Sequence, residues 1–242
     1  MSKPRPGVAA GKRLSKCVDK EIWRLVETKY SEIISHQDGL EEIDSEYRRL
    51  GRSLSKGGLK DSISKEELLS VVSWKFSVGK PRHALMKHLR SNTEDSVREH
   101  SAAAIAKARG SAEADTESTK KALQELINLN GVGPATASAI LTLVQPDLFA
   151  YMYDEVIECF LPKRTYTLST YMTLNNNCLE IAKTLGDGWT ASRVATALWT
   201  AARVNAYKLQ DHTLPKRPLV DEDATKENKD TKDRRAIKRR KC

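Results

Sequence analysis

The sequence predicts an all-α fold, and three observations carry that prediction. Apolar residues recur at three- and four-residue spacing in one segment after another. Several of these segments open on Ser, Thr or Asp with acidic residues close behind, as a capped helix start requires. No pair of alternating apolar and polar runs joined by a tight Gly- or Asn-containing turn is present, and no internal repeat.

In chain order, residues 1–16 are rich in Pro, Gly, Lys and Ala and predict a disordered basic arm. Asp19 opens a helix with Ile22, Leu25, Val26, Ile33 and Ile34 at helical spacing. Residues 39–60 predict a short charged helical piece ending in the loop Leu50-Gly51-Arg52-Ser53-Leu54-Ser55-Lys56-Gly57-Gly58. Ser64, followed by Glu66 and Glu67, starts a helix carrying Leu68, Leu69, Val71, Val72 and Trp74. Thr93 is placed as the N-cap of a helix through Ala102–Ala108 that Gly110 ends. Residues 111–118 form a polar linker or helix start; a helix then runs into Gly131-Val132-Gly133, and a second starts at Pro134 with Ala137, Ile140 and Leu141 on its inner face. Gln145-Pro146-Asp147 breaks the chain, and Asp154 is placed to cap a helix Val156–Leu161. Residues 167–185 form another helix, Gly186-Asp187-Gly188 a turn, and Thr190 opens the last helix through Val194, Leu198, Ala201 and Val204. The expected globular part is therefore 17–210, with a disordered basic tail over 211–242.

The formal charge of +9 sits in the two ends. Residues 1–20 hold six Lys/Arg against one Asp, and residues 211–242 hold eleven against seven acidic residues, so the 190 residues between are neutral as a whole. Net charge alone therefore does not argue that the folded part binds nucleic acid. A local patch does. From Leu68 to Asn92 there is no acidic residue, and Lys75, Lys80, Arg82, Lys87 and Arg90 fall within it, beside Trp74 and Phe76. Such a run supplies phosphate contacts; its alternative is a solvated face with the two aromatics in the core. His83 and His88 are five residues apart, the wrong spacing for two ligands on one helix face, so no metal is expected.

Cys17, Cys159, Cys178 and Cys242 form no close pair, which argues against a zinc or iron–sulfur site and against a disulfide framework, and no cofactor is expected. No apolar run reaches membrane-spanning length, so no membrane partner is expected. The cluster Arg234, Arg235, Lys238, Arg239, Arg240 and Lys241 reads as a nuclear-localisation or nucleic-acid-binding tail, the alternative being a solvated charged end. Nuclear localisation is the expectation.

The chemistry-bearing stretch is the Gly-Val-Gly turn. Two glycines flanking one apolar residue permit positive φ and close approach of another surface. Proline in the first helical turn gives up an N–H that has no partner there anyway. The turn therefore aims free N–H groups at the positive end of a helix dipole, a ready anion site. Its plain alternative is a helix–helix turn.

Leu126, Leu129, Gly131, Val132, Gly133, Ala137 and Leu141 match the helix-hairpin-helix pattern of DNA-binding proteins. Over about Leu123–Leu161 the chain resembles the helix-hairpin-helix DNA glycosylases. It has the Leu-x-Gly-Val-Gly hairpin, a loop with Pro146, and an Asp at the next helix start, Asp154, nineteen residues after Ala135. The longer run Gly131–Ala139 also looks like the Amun-type nuclear glycosylase-like proteins. The resemblance implies a helical bundle of the helix-hairpin-helix glycosylase type. It also implies DNA held mainly through phosphates by Gly131, Val132, Gly133, Ala135 and Thr136, with Lys75, Lys80, Arg82, Lys87 and Arg90 alongside. Asp154 would then stabilise the cationic sugar and help activate water during N-glycosidic hydrolysis. A flipped base would meet Trp74, Tyr151, Tyr153 or Trp189; Tyr151 and Tyr153 fit packing between helices equally well. Two departures bear on chemistry. Ala135 stands where bifunctional members carry the Schiff-base Lys, so that lyase route is closed, and the family's four-cysteine cluster motif is absent. Asn130 replaces the usual Pro before the glycines. Three classes stay open: a monofunctional base-excision glycosylase, a catalytically inactive DNA- or chromatin-binding relative, and a helical protein-interaction scaffold.

Overall fold

The computed structural model describes residues 7–55, 58–110, 115–186 and 188–204, and these contain eleven α-helices and no strand. The helices are α1 (Val8–Leu14), α2 (Lys20–Ser35), α3 (Leu40–Leu54), α4 (Lys65–Val78), α5 (Ala84–Arg90), α6 (Glu94–Gly110), α7 (Thr116–Ile127), α8 (Pro134–Val144), α9 (Asp154–Phe160), α10 (Leu168–Leu185) and α11 (Ala191–Val204). The expected all-α character is therefore present. The tail cluster from Arg234 to Lys241 and residues 1–6 lie outside the described residues.

Helix starts follow the local signals. The Asp19 carboxylate accepts from the Glu21 N–H. Ser64 and Glu67 form a reciprocal capping box, worth about 1 kcal/mol. The Thr93 and Thr190 hydroxyls accept from the Ser96 and Arg193 N–H groups, both at 3.1 Å, and Thr167 caps α10.

Helix α8 is the centre of the bundle. Every residue from Ala135 to Val144 is buried, which is what an all-round apolar helix demands, and α3, α4, α6, α7 and α10 all pack on it. Its small residues (Ala135, Ala137, Ser138, Ala139) let neighbours approach closely; the Tyr47 hydroxyl, for example, donates to the Ala139 carbonyl at 2.6 Å. A buried carboxylate ties the surrounding helices together. Asp44 on α3 accepts from the Tyr30 hydroxyl of α2 (2.6 Å), Trp74 Nε1 of α4 (2.9 Å) and Arg48 Nε (2.7 Å), so a charge only 6% exposed is fully bonded.

Three expectations are corrected. Residues 7–16 are not a disordered arm: Val8, Ala10, Gly11 and Leu14 of α1 are buried, and α1 packs on α11 and α9. Gly11 makes the approach feasible, because a Cβ there would lie 2.7 Å from Cys159 Sγ and 3.2 Å from the Leu198 carbonyl oxygen. The stretch read as a loop from Leu50 is helical through Leu54, which is fully buried; Gly51 faces Leu143 with a Cβ-equivalent distance of 3.0 Å, so here a helical glycine marks helix packing and not a break. Asp154 does not cap α9. The N-cap is Tyr153, Asp154 is the first helical residue, and its carboxylate is engaged elsewhere.

Candidate nucleic-acid interface

The hairpin is built as its residues dictate. Helix α7 ends at Ile127, and the Leu129 N–H and Val132 N–H close successive turns onto the Leu126 and Leu129 carbonyls, both at 3.1 Å. Gly131 then adopts φ +77°. A Cβ on it would sit 3.1 Å from His88 Cβ and from the Leu89 backbone nitrogen, so its lack of a side chain is required twice, by conformation and by contact with α5. Gly133 is different. Its φ of −111° suits any residue, and a Cβ there would meet nothing within 4 Å. The N–H groups of Gly131, Gly133 and Ala135 have no acceptor among the described residues, whereas Thr136 and Ala137 bond back to the Gly133 carbonyl. Three free donors thus cluster at the start of α8. Asn92 clamps the turn from the α5–α6 junction: its side-chain amide donates to the Asn130 carbonyl and accepts from the Asn130 N–H, each at 2.9 Å.

Around this turn the chain forms a cavity of about 260 Å³, lined on one side by Gly131–Thr136 and on the others by the end of α4, the loop after it, and the segment Tyr151–Glu155. That last segment is held against α8 by the Met152 N–H, which donates to the buried Ser138 hydroxyl at 3.1 Å. Asp154 projects into the cavity with both carboxylate oxygens engaged: Arg164 Nη1 donates to Oδ2 at 2.6 Å and the Tyr166 hydroxyl to Oδ1 at 2.7 Å. Arg164 also pairs with Glu158, and the Arg82 guanidinium lies 4.6 Å from the centre of the Tyr166 ring. The neighbouring Glu155 is committed to Arg203 at 2.8 Å. Burial raises the hydroxyls of Tyr151 and Tyr153 above their ordinary range, so both are neutral walls of the cavity.

The residues expected from the sequence divide accordingly. Gly131, Val132, Gly133, Ala135, Thr136, Lys75, Lys80, Arg82, Tyr151, Tyr153 and Asp154 all line this one cavity. The side chains of Val132, Ala135 and Thr136 are buried, so the hairpin can meet a phosphate through its backbone only. Lys80, Arg82, Lys87 and Arg90 are exposed, the last two in the final turn of α5, whose His88 and Leu89 touch Gly131. Lys75 does not belong to that exposed rim; it is half-buried and turned into the cavity. Trp74 is a core residue, stacked on Tyr47 at 3.7 Å and touching Tyr151 from behind at 4.9 Å, and it borders a separate cavity of about 370 Å³ behind the two tyrosines. Trp189 is elsewhere, packed edge-on against Trp23 at 5.5 Å under Arg193. Arg164 and Tyr166 carry no local sequence signal, since they reach Asp154 from a connection ten and twelve residues further along.

Among the described residues no three His, Cys, Asp or Glu side chains converge as a metal site would need, and no helix is long and apolar enough to cross a membrane. No family model matches this sequence, and no curated protein or solved structure is significantly similar to it.

Proposed function

We propose that this chain binds DNA through phosphates in the manner of helix-hairpin-helix glycosylases, and that it excises bases by hydrolysing the N-glycosidic bond with Asp154 as the catalytic carboxylate. One observation carries the reading: the Gly131–Ala135 hairpin, with its free N–H groups, and Asp154 line the same cavity, rimmed by Lys80 and Arg82. A phosphate seated on the hairpin places the adjoining nucleotide near Asp154. The carboxylate, fixed by Arg164 and Tyr166, would stabilise positive charge developing at C1′, and Tyr151, Met152 and Tyr153 offer an apolar wall for an extruded base. The proposed site of action is the nucleus, on the strength of the Arg234–Lys241 cluster.

A second reading, a catalytically inactive DNA- or chromatin-binding protein on the same scaffold, is favoured by the occupation of both Asp154 oxygens by protein donors. One experiment separates the two. The full chain is incubated with duplexes bearing alkylated, deaminated or oxidised bases, and abasic products are revealed with alkali. The enzymatic reading expects product on at least one lesion and its loss in Asp154→Asn. Duplex retardation without product on any lesion leaves the inactive reading, and absence of retardation overturns both.

A further inference from the structure

The cavity contains a group that neither hydrolysis nor phosphate binding uses. Lys75 lies in the last turn of α4 between buried Trp74 and Phe76. Its ammonium stands 5.6 Å from the centre of the Phe76 ring and has no hydrogen-bond or ion-pair partner among the described residues. The charged groups facing it are Lys80 and Arg82 from the loop after α4, and Asp154 and Glu155 from α9; the neutral ones are Tyr151, Tyr153 and Tyr166. Both carboxylates are already taken by arginines, Asp154 by Arg164 and Glu155 by Arg203. Burial, helped by Arg82 and opposed by Asp154, pushes the Lys75 amine down to about 8. At neutral pH roughly a tenth of it is therefore unprotonated, against less than roughly a thousandth for an ordinary lysine. A desolvated, unpartnered amine in a pocket is the form in which lysine attacks carbonyls.

We propose that Lys75 is an amine nucleophile that captures the aldehyde of an abasic deoxyribose as an imine, from a helix remote in sequence from the hairpin. The inference rests on the DNA reading above. The unprotonated Nζ adds its lone pair to C1′ of the ring-opened sugar, the carbonyl electrons move to oxygen, and a proton passes from the nitrogen to that oxygen to give a neutral carbinolamine. The resulting carbinolamine loses its hydroxyl as water with one further proton, leaving a protonated Nζ=C1′ bond. Nothing is oxidised or reduced, and hydrolysis reverses the step. Ala135 removes the nucleophile from the hairpin; the opposite wall of the same cavity supplies one.

The test uses the full chain and a duplex with one preformed abasic site, so no base excision is needed, with sodium cyanoborohydride to reduce the imine to a stable secondary amine. The expected result is a protein–DNA adduct whose mapped peptide carries the sugar on Lys75, with at least a ten-fold lower yield in Lys75→Met and Lys75→Arg. Peptide mapping in the wild type keeps the test decisive even if a variant folds poorly. A retarded duplex without adduct, or an adduct on another lysine or the N-terminal amine, overturns the assignment while leaving the DNA reading intact. A parallel arm offers free 2-deoxyribose 5-phosphate under the same reductant. Labelling of Lys75 there, without retardation of any duplex, upholds the reactive amine and overturns DNA as its partner.

Discussion

Gly131 and Gly133 look equivalent in the sequence and are not. Gly131 combines a φ of +77° with contacts at 3.1 Å to α5, whereas Gly133 has ordinary backbone and open space where its side chain would be. Gly131→Val is expected to lower stability by on the order of 2–3 kcal/mol, read as a fall in Tm. Gly133→Leu is expected to leave Tm nearly unchanged and to weaken duplex binding at least several-fold, because its side chain would occupy the space a phosphate needs; a full-affinity Gly133→Leu protein would remove the hairpin from the interface. Lys75 makes an equally local prediction. Its amine is held below its unfolded value, so between about pH 8 and the ordinary lysine range the unfolded chain binds the extra proton and stability rises with pH. The cost of burying the charge is fully present below pH 8. Lys75→Met should therefore be more stable at pH 7, by on the order of 1–3 kcal/mol, with the advantage vanishing as pH rises through the range of an ordinary lysine. A Tm series across that window checks both the sign and the window.

At the scale of elements, the helices with strong local signals are those where the expectation and the structure agree. Asp19, Ser64-Glu67 and Thr167 cap helices because a side-chain oxygen satisfies N–H groups a few atoms away, an interaction that needs no tertiary context. Helix α1 shows the limit. Seven residues are too few to be helical on their own, and the surrounding Pro, Gly and Lys suggest disorder; burial of Val8, Ala10 and Leu14 against α11 and α9 makes the helix. Deleting residues 1–16 is accordingly expected to lower Tm by several degrees, and Gly11→Val to do so too, since its branched side chain would collide with Cys159 and the α11 backbone. An unchanged Tm on deletion would mean that α1 contributes no net stability. Asn92 is an element-scale tether as well: Asn92→Ala removes both bonds to Asn130 and leaves backbone groups unpaired, an effect of on the order of 1–3 kcal/mol.

For the whole molecule, the exposed rim of Lys80, Arg82, Lys87 and Arg90 sits next to the hairpin inside a chain whose other net charge lies at the two ends. If those four contact phosphates, they contribute about −3.6 to the slope of log K against log salt concentration. Each Ala substitution should flatten the slope by about 0.9, and a slope indifferent to all four would place the DNA on another face. Removing residues 211–242 is expected to spread the protein into the cytoplasm; retained nuclear concentration would show that the basic tail is not its address.

The sequence by itself determined the all-α character, the capped helix starts and the hairpin with its free N–H groups, because each rests on residues within about four positions of one another. It also placed Asp154 near the hairpin through a family resemblance. Only the tertiary structure decided what that carboxylate touches and which cations stay on the exposed rim beside the hairpin. Arg164 and Tyr166 reach Asp154 from a connection with no local pattern. Lys75, indistinguishable in sequence from Lys80 or Lys87, leaves the basic rim because the packing of α4 on α8 turns its stem into the cavity. Apolar spacing marks the stripe of a helix that is covered, but which charged residue beside that stripe ends in a cavity and which on the rim is a property of the assembled surfaces.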